Sequence, residues 1–381
     1  MRSAKKIECL PDQLIQEILS TSPVKSLIQS SCVSNAWRNL ITDTSFINLH
    51  LNRSIQRNKF SLLLSNSDNI YSIHDPMSTT TTATTKWPFP YGHESHNYYD
   101  VVGSCNGLLL IIPNRGCLGI WNPSTGDFIC IPSPCRSLKN YTVFLPLCDK
   151  MYGFGYGSNR SDYKIVSIDC GAAVEIRVFS MQSRSWKTIE GSNIDNVGFN
   201  TTLYTDSDGI FVNGAVHWLG SFFYTKIDKV KRVIAFDLGC EEFRKIPLPD
   251  HLKNSNEYSR LSIWGESICL FIKDCKERSS HIFVMKEYGV RDSWCKLCTI
   301  PEAPIPKAPK RNIPHAEYWS IVCFVDDHKI LLQQKGLYNL FLYDTRSDKF
   351  VELELHKDIK NFFDEAYCFV CAYIPSLVPI K

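Results

Sequence analysis

The sequence predicts a mainly β protein in which a small N-terminal α module precedes a six-bladed β-propeller. Residues 10–51 carry apolar residues at helical spacing, whereas the rest of the chain consists of short apolar runs separated by turn residues. A pattern also recurs along this second part with a period of about fifty residues, which is typical of four-stranded propeller blades. We therefore expect two domains, residues 5–51 and residues 59–376.

Three short amphipathic helices are predicted in the N-terminal module. The first begins at Pro11, because proline is tolerated at the first helical position, and its apolar positions are Leu14, Ile15, Ile18 and Leu19. The second has Ser22 as its cap, begins at Pro23 and carries Val24, Leu27 and Ile28. The third places on one face Val33, Ala36, Trp37, Leu40 and Ile41. Roughly forty residues bury too little surface to be stable alone, so the module either docks on the propeller or presents apolar surface to a partner.

Five copies of the propeller pattern are visible. Each is marked by a residue that directly follows an apolar run, and these residues are Asn122, Ser180, Asp237, Met285 and Asp344. An aromatic residue comes six positions later in four copies, and an insertion around Tyr288 delays Trp294 in the other. We expect residues 60–64 to pair with residues 368–374 as the sixth blade, because ring closure removes exposed strand edges.

Composition and charge exclude several classes of protein. A net charge of +3 over 381 residues is too small to indicate nucleic acid as a partner. The N-terminus lacks the apolar stretch of a secretory signal, and no apolar run reaches the roughly eighteen residues of a membrane span. We therefore expect no membrane partner and a cytoplasmic or nuclear location, where the 16 cysteines stay reduced.

No catalytic, cofactor or metal site is predicted. The pairs Cys295/Cys298 and Cys368/Cys371 fall in expected strands, where residues three apart point to opposite faces. Gly153, Gly155 and Gly157 look like a phosphate loop, but no helix follows them, which favours a glycine-rich blade turn. His217 lies in an apolar strand and is interpreted as a core or rim histidine.

The N-terminal module resembles an F-box. The resemblance rests on the order and spacing of Leu10-Pro11, Ile18-Leu19, Pro23-Val24-Lys25-Ser26-Leu27, Cys32-Val33-Ser34, Trp37-Arg38, Leu40-Ile41 and Phe46. It implies a three-helix motif that binds a Skp-type adaptor and, through it, cullin and RING subunits. On this resemblance the adaptor-facing residues are Leu10, Pro11, Leu14, Ile15, Ile18, Pro23, Val24 and Leu27. The residues that would pack the core of the motif are Val33, Trp37 and Leu40.

The second part resembles the F-box-associated domain of plant F-box proteins, often labelled F-box/kelch-repeat. The motifs are Ser104-Cys105-Asn106-Gly107-Leu108, Trp121-Asn122-Pro123, Asp162-Tyr163-Lys164-Ile165-Val166, Val216-His217-Trp218 and Met285-Lys286-Glu287-Tyr288-Gly289-Val290 with Ser293-Trp294. This resemblance implies a non-catalytic substrate receptor of a Skp–cullin–F-box ubiquitin ligase whose propeller binds a target protein. Two alternatives stay open: a small-molecule-binding propeller, and a scaffold outside the ligase, because Ser22 and residues 29–31 depart from the usual F-box pattern.

Overall fold

The structure is a computed structural model, and it describes sixteen ranges of the chain. These are residues 11–65, 70–77, 84–87, 99–113, 118–132, 134, 150–157, 161–170, 174–190, 209–223, 229–253, 257–274, 276–301, 319–334, 339–353 and 369–380.

The helical module (residues 11–56) contains four helices, which are α1 (Asp12–Leu19), α2 (Val24–Ser30), α3 (Asn35–Thr42) and α4 (Thr44–Gln56). Pro11 and Pro23 directly precede the first two helices. The hydroxyl of Ser34 caps α3 by accepting from the N–H of Trp37 at 3.2 Å. The carboxylate of Asp43 caps α4 by accepting from the N–H of Ser45 at 2.9 Å and from that of Phe46 at 3.3 Å, and this helix is 13 residues long.

In the described residues, 24 strands form six four-stranded antiparallel sheets, the blades of the propeller. From the centre outward, blade 1 contains β24 (Phe369–Tyr373), β1 (Ser61–Ser65), β2 (Ile70–His74) and β3 (Thr84–Trp87). Blade 2 contains β4 (Tyr99–Cys105), β5 (Leu108–Pro113), β6 (Leu118–Trp121) and β7 (Phe128–Ile131). Blade 3 contains β8 (Lys150–Gly157), β9 (Asp162–Cys170), β10 (Val174–Ser180) and β11 (Ser185–Thr188).

The other three blades follow the same order along the chain. Blade 4 contains β12 (Ile210–Val212), β13 (Ala215–Phe223), β14 (Lys229–Asp237) and β15 (Glu242–Ile246), and α5 (Asp250–Lys253) follows it. Blade 5 contains β16 (Ser259–Trp264), β17 (Ser267–Asp274), β18 (Ser279–Met285) and β19 (Trp294–Pro301). Blade 6 contains β20 (Trp319–Phe324), β21 (Lys329–Gln334), β22 (Leu340–Asp344) and β23 (Lys349–Glu352).

The innermost strands contact one another in ring order, β4 to β8, β12, β16, β20, β24 and back to β4. The ring closes within blade 1, where β1 pairs with β24 from Ser61 opposite Tyr373 to Ser65 opposite Phe369. This pairing confirms the predicted closure between residues 60–64 and 368–374. The N-terminal and C-terminal strands thus share one sheet, which leaves no open edge between the first and last blades.

The repeated pattern marks the outer hairpin of each blade. Each of the five marker residues ends or directly follows the third strand, and the aromatic residue is the first or second residue of the fourth. The aromatic also lies directly opposite the residue before the marker, in the pairs Trp121–Phe128, Phe179–Trp186, Phe236–Phe243 and Tyr343–Phe350. Ring centroids are 5.2 Å apart in the second pair and 4.7 Å in the third, distances at which aromatic rings attract.

The glycines that looked like a phosphate loop lie inside strand β8. The expected blade turn is therefore wrong for Gly153 and Gly155, and the reason is close packing between blades 3 and 4. A Cβ atom on Gly153 would lie 2.6 Å from Cζ2 of Trp218 in β13 and would also collide with Val216. Only glycine lets the two blades approach this closely.

Candidate functional site: the exposed face of the helical module

Helix α1 presents an apolar stripe to solvent. Pro11 is exposed, Leu14 is 49% exposed and Ile18 is 57% exposed. These positions are three and four residues apart, so they lie on the same face of the helix. Contiguous apolar surface of this kind marks an interaction site in soluble proteins. Leu10, which was expected to extend the stripe, lies outside the described residues.

The stripe continues beyond α1. Pro23 is exposed at the start of α2, and Ile28 is 38% exposed on that helix. Val33 is 69% exposed, which corrects its expected place in the core of the module. The reason is that Val33 lies in the turn between α2 and α3, where its N–H donates to the carbonyl of Ser30 at 3.0 Å, and not on a helical face.

The other apolar side chains of the short helices form the buried core of the module. Leu27 is fully buried in a cluster with Leu19, Ile41 and Phe46, and Ile15, Trp37 and Leu40 pack against this cluster. Val24 is also buried. The expectation that Leu27 and Val24 face a partner is corrected, because both side chains are buried. They support the exposed face from beneath.

An ion pair holds α1 against α4. The guanidinium of Arg53 donates to both carboxylate oxygens of Glu17 at 2.8 Å, to the Glu17 carbonyl at 3.3 Å and to the hydroxyl of Ser20. The hydrogen bond from Arg53, together with its charge, lowers the pKa of the Glu17 carboxyl. Four contacts from one guanidinium tie the second half of α1 to α4, so the stripe on α1 is held in place relative to α4.

The turn between α1 and α2 is held from below by a buried histidine. Nε2 of His50 lies 2.9 Å from the carbonyl oxygen of Ser22, and a carbonyl can only accept, so Nε2 carries the proton. Burial lowers the pKa of His50 and favours the neutral ring. Ser22 is a departure from the usual F-box pattern, and its backbone is nevertheless anchored in the module.

The module is mounted on the propeller through α4 and the residues after it. Ile47 and Leu51 of α4 belong to one buried apolar cluster with Val102 and Leu108 of blade 2. On the other side, the side-chain amide of Asn58 donates to the carbonyls of Phe324 at 3.0 Å and Val325 at 2.6 Å in blade 6. The sequence pattern revealed neither the length of α4 nor these long-range contacts.

Short turns line the end of the propeller that carries the module. Strands alternate in direction, so the turns β4–β5 and β12–β13 lie at the same end as the start of β1. Each consists of an Asn-Gly pair, Asn106-Gly107 and Asn213-Gly214, in which both residues have positive φ, as type I′ hairpins require. An Asn-Gly pair is typical of such tight turns.

His217 is fully buried beside these turns, in agreement with its interpretation as a core histidine. Its Nε2 lies 2.7 Å from the hydroxyl of Tyr288, to which Arg244 also donates at 3.2 Å. Burial lowers the pKa of His217 to about 4, so the ring that shares a hydrogen bond with the tyrosine hydroxyl is neutral. A cleft of about 270 Å³ is lined by Tyr288 and Lys286, among other residues. Nζ of Lys286 lies 4.6 Å from the centroid of the Trp264 ring, in a cation–π contact.

The cysteine pairs and one acidic cluster complete the candidate ligand sites. On β19, Cys295 is exposed and Cys298 is half-buried, whereas Cys368 lies outside the described residues. Asp274, Glu277 and His281 bring one ligand atom each within 4.8 Å of the others, a proximity that the sequence did not reveal. Nε2 of His281 is 3.6 Å from Oε2 of Glu277 and 3.8 Å from Oδ2 of Asp274.

Within the described ranges, no helix has the length and apolar character of a membrane span.

Residues 7–49 match the family model described as the F-box domain, and residues 60–380 match the F-box associated beta propeller domain. F-box protein CPR1 of Arabidopsis thaliana is 28% identical over 374 residues, covering 91% of this chain and 84% of that protein. F-box/kelch-repeat protein At3g23880 of the same plant is 27% identical over 317 residues, covering 77% of this chain and 79% of that protein. The chain belongs to the F-box proteins that carry an F-box associated β-propeller domain.

Proposed function

We propose that this protein is the substrate-recognition subunit of a Skp–cullin–F-box ubiquitin ligase. The observation that carries the proposal is the division of the helical module into two sides. One side is buried within the module and against the propeller, and the other exposes Leu14 and Ile18. An F-box generally implies binding to a Skp-type adaptor, and the exposed stripe supplies the apolar surface for it.

The adaptor covers the stripe that begins at Pro11 and continues through Leu14 and Ile18 to Pro23 and Ile28. Ile15, Val24 and Leu27 act indirectly, because Val24 and Leu27 are buried and Ile15 packs against the core of the module beneath the stripe. Cullin and RING subunits then join through the adaptor. No residue of this chain takes part in bond making. Ubiquitin transfer follows from proximity, which raises the effective concentration of target lysines near the charged E2 enzyme.

The target protein binds the end of the propeller that faces away from the module. The strand ends at that face are separated by long stretches of sequence, such as those between Ile131 and Lys150 and between Pro301 and Trp319. At the module end, by contrast, the turn β16–β17 contains only residues 265–266. Long connections on a rigid scaffold are where proteins place recognition residues.

Reconstitution with a purified Skp-type adaptor tests the first half of the proposal. The full chain should co-elute with the adaptor in size-exclusion chromatography, and a Leu14→Asp, Ile18→Asp double variant should not. Ile55→Asp is the matched control, since Ile55 is 48% exposed on α4. Co-elution of the double variant with the adaptor would overturn the assigned surface. A folded wild-type chain that does not co-elute would favour a scaffold outside the ligase.

Affinity capture in the presence of a proteasome inhibitor tests the second half. Proteins captured by both the wild type and the double variant are target candidates, whereas proteins lost with the variant belong to the ligase. The point variant is preferable to deletion of the module, because deletion would strip Ile47 and Leu51 from the propeller. Capture of no protein by both forms would contradict a target-binding propeller.

A further inference from the structure

The C-terminal segment (residues 374–380) leaves strand β24 and runs without regular secondary structure across the turns of blade 2. Its path is fixed by hydrogen bonds. The fully buried Ser376 donates from its hydroxyl to the carbonyl of Asn106 at 2.7 Å. The side-chain amide of Asn122, which is also fully buried, donates to the carbonyls of Ser376 at 3.2 Å and Val378 at 2.9 Å.

The turn beneath the segment is shaped to receive it. Gly107 has φ +84°, and a Cβ atom there would lie 2.5 Å from the carbonyl oxygen of Ile374 and 2.7 Å from Cβ of Ser376. A side chain at Gly107 would therefore lift the segment off blade 2. The Asn-Gly turn of blade 2 thus serves as a seat for the segment as well as a hairpin.

Beyond Ser376, the segment reaches the helical module. Leu377 packs against the core of the module, which is formed by Leu19, Leu27, Ile41 and Phe46. Val378 is 7% exposed and belongs to the cluster that joins Ile47 and Leu51 of α4 to blade 2. A side chain more than 300 positions away in the sequence therefore completes the apolar packing of the N-terminal domain.

We propose that the C-terminal segment is a strut that fixes the orientation of the F-box relative to the propeller. The covalent connection, residues 57–60, is held on blade 6 by Asn58. On blade 2, the segment adds a further attachment beside the packing of Ile47 and Leu51 of α4. One flexible joint permits rotation, whereas two separated attachments prevent it. The consequence for ubiquitin transfer rests on the proposed function, because a fixed orientation holds the target at a constant distance and angle from the adaptor. The role of the segment as a strut does not depend on the proposed function.

Distance measurement in the full chain tests this proposal without any adaptor. Spin labels are introduced as non-natural amino acids at Ala36 of α3 and Lys276 of blade 5, both exposed, because the 16 cysteines preclude thiol labelling. Pulsed electron paramagnetic resonance of the wild type should give one narrow distance distribution. Leu377→Asp should lose that narrow peak. Pro379→Asp is the matched control, because Pro379 is exposed, and it should keep the peak.

A second variant keeps the test decisive if Leu377→Asp unfolds the module. Asn122→Asp retains the oxygen that accepts from the N–H of Ser124 at 2.8 Å but replaces the amide that holds the segment. It should also broaden the distribution while the propeller stays folded. A narrow, wild-type distribution in this variant, with the amide of Val378 freely exchanging with solvent, would overturn the strut. Because no adaptor is present, failure of adaptor binding would not affect this result.

Discussion

Replacing Leu14 and Ile18 together with alanine should weaken adaptor binding without affecting folding. Full burial of such a side chain contributes about 1.5–3 kcal/mol. Leu14 is 49% exposed and Ile18 is 57% exposed, so about half of each contribution is still available to a partner. Covering both side chains would therefore contribute about 2 kcal/mol, which corresponds to about a 30-fold change in Kd.

Isothermal titration of the purified Skp-type adaptor into the chain measures this change directly. The free energy of unfolding should stay within about 0.5 kcal/mol of the wild type, because both side chains lie outside the core and alanine favours helices. Ile55→Ala removes a comparable area from the exposed part of α4 and should leave Kd unchanged. An unchanged Kd for the folded double variant would refute the assignment of the stripe on α1 as the adaptor surface.

Three further predictions concern stability, each measured by chemical denaturation. Leu27→Ala should cost about 2–5 kcal/mol because it leaves a cavity in the module core; a loss below about 1 kcal/mol would contradict that packing. Gly153→Ala should lower the free energy of unfolding by about 1–3 kcal/mol, because the added methyl group would collide with Trp218. An unchanged free energy of unfolding would contradict this close approach of blades 3 and 4. Burial lowers the pKa of His217 to about 4, below its ordinary value of 6.5. Between these two pH values the unfolded chain binds a proton that the folded chain excludes. The free energy of unfolding should therefore be highest above pH 6.5 and should fall by on the order of 3 kcal/mol as the pH is lowered toward 4. His217→Gln should flatten this slope, and an unaltered slope would exclude His217 as its source.

Features that depend on neighbouring residues could be predicted from the sequence. The spacing between Phe236 and Phe243 reflects one hairpin, in which the two rings are directly opposite each other across β14 and β15. The Asn-Gly pairs likewise specify their turns through φ values that few other residues adopt. Prolines before α1 and α2 marked the two helix starts. In each case the determining contacts lie within a few residues of each other.

Features that depend on distant packing could not be predicted. The pattern of α2 shows that Leu27 and Ile28 are apolar, but which of them is buried depends on where α3 and α4 lie. The place of Leu377 against the module core depends on ring closure, because the segment that carries it follows β24, which pairs with β1. Val33 was misplaced for a related reason, because apolar character alone does not distinguish a helical face from a turn.

Hydrogen exchange of the full chain with and without the Skp-type adaptor tests the central claim most directly. The adaptor should slow exchange in residues 11–33, which carry the exposed stripe, and should leave the blade strands unchanged. Slower exchange in the propeller with no change in residues 11–33 would contradict the division of the chain into an adaptor-binding module and a target-binding propeller.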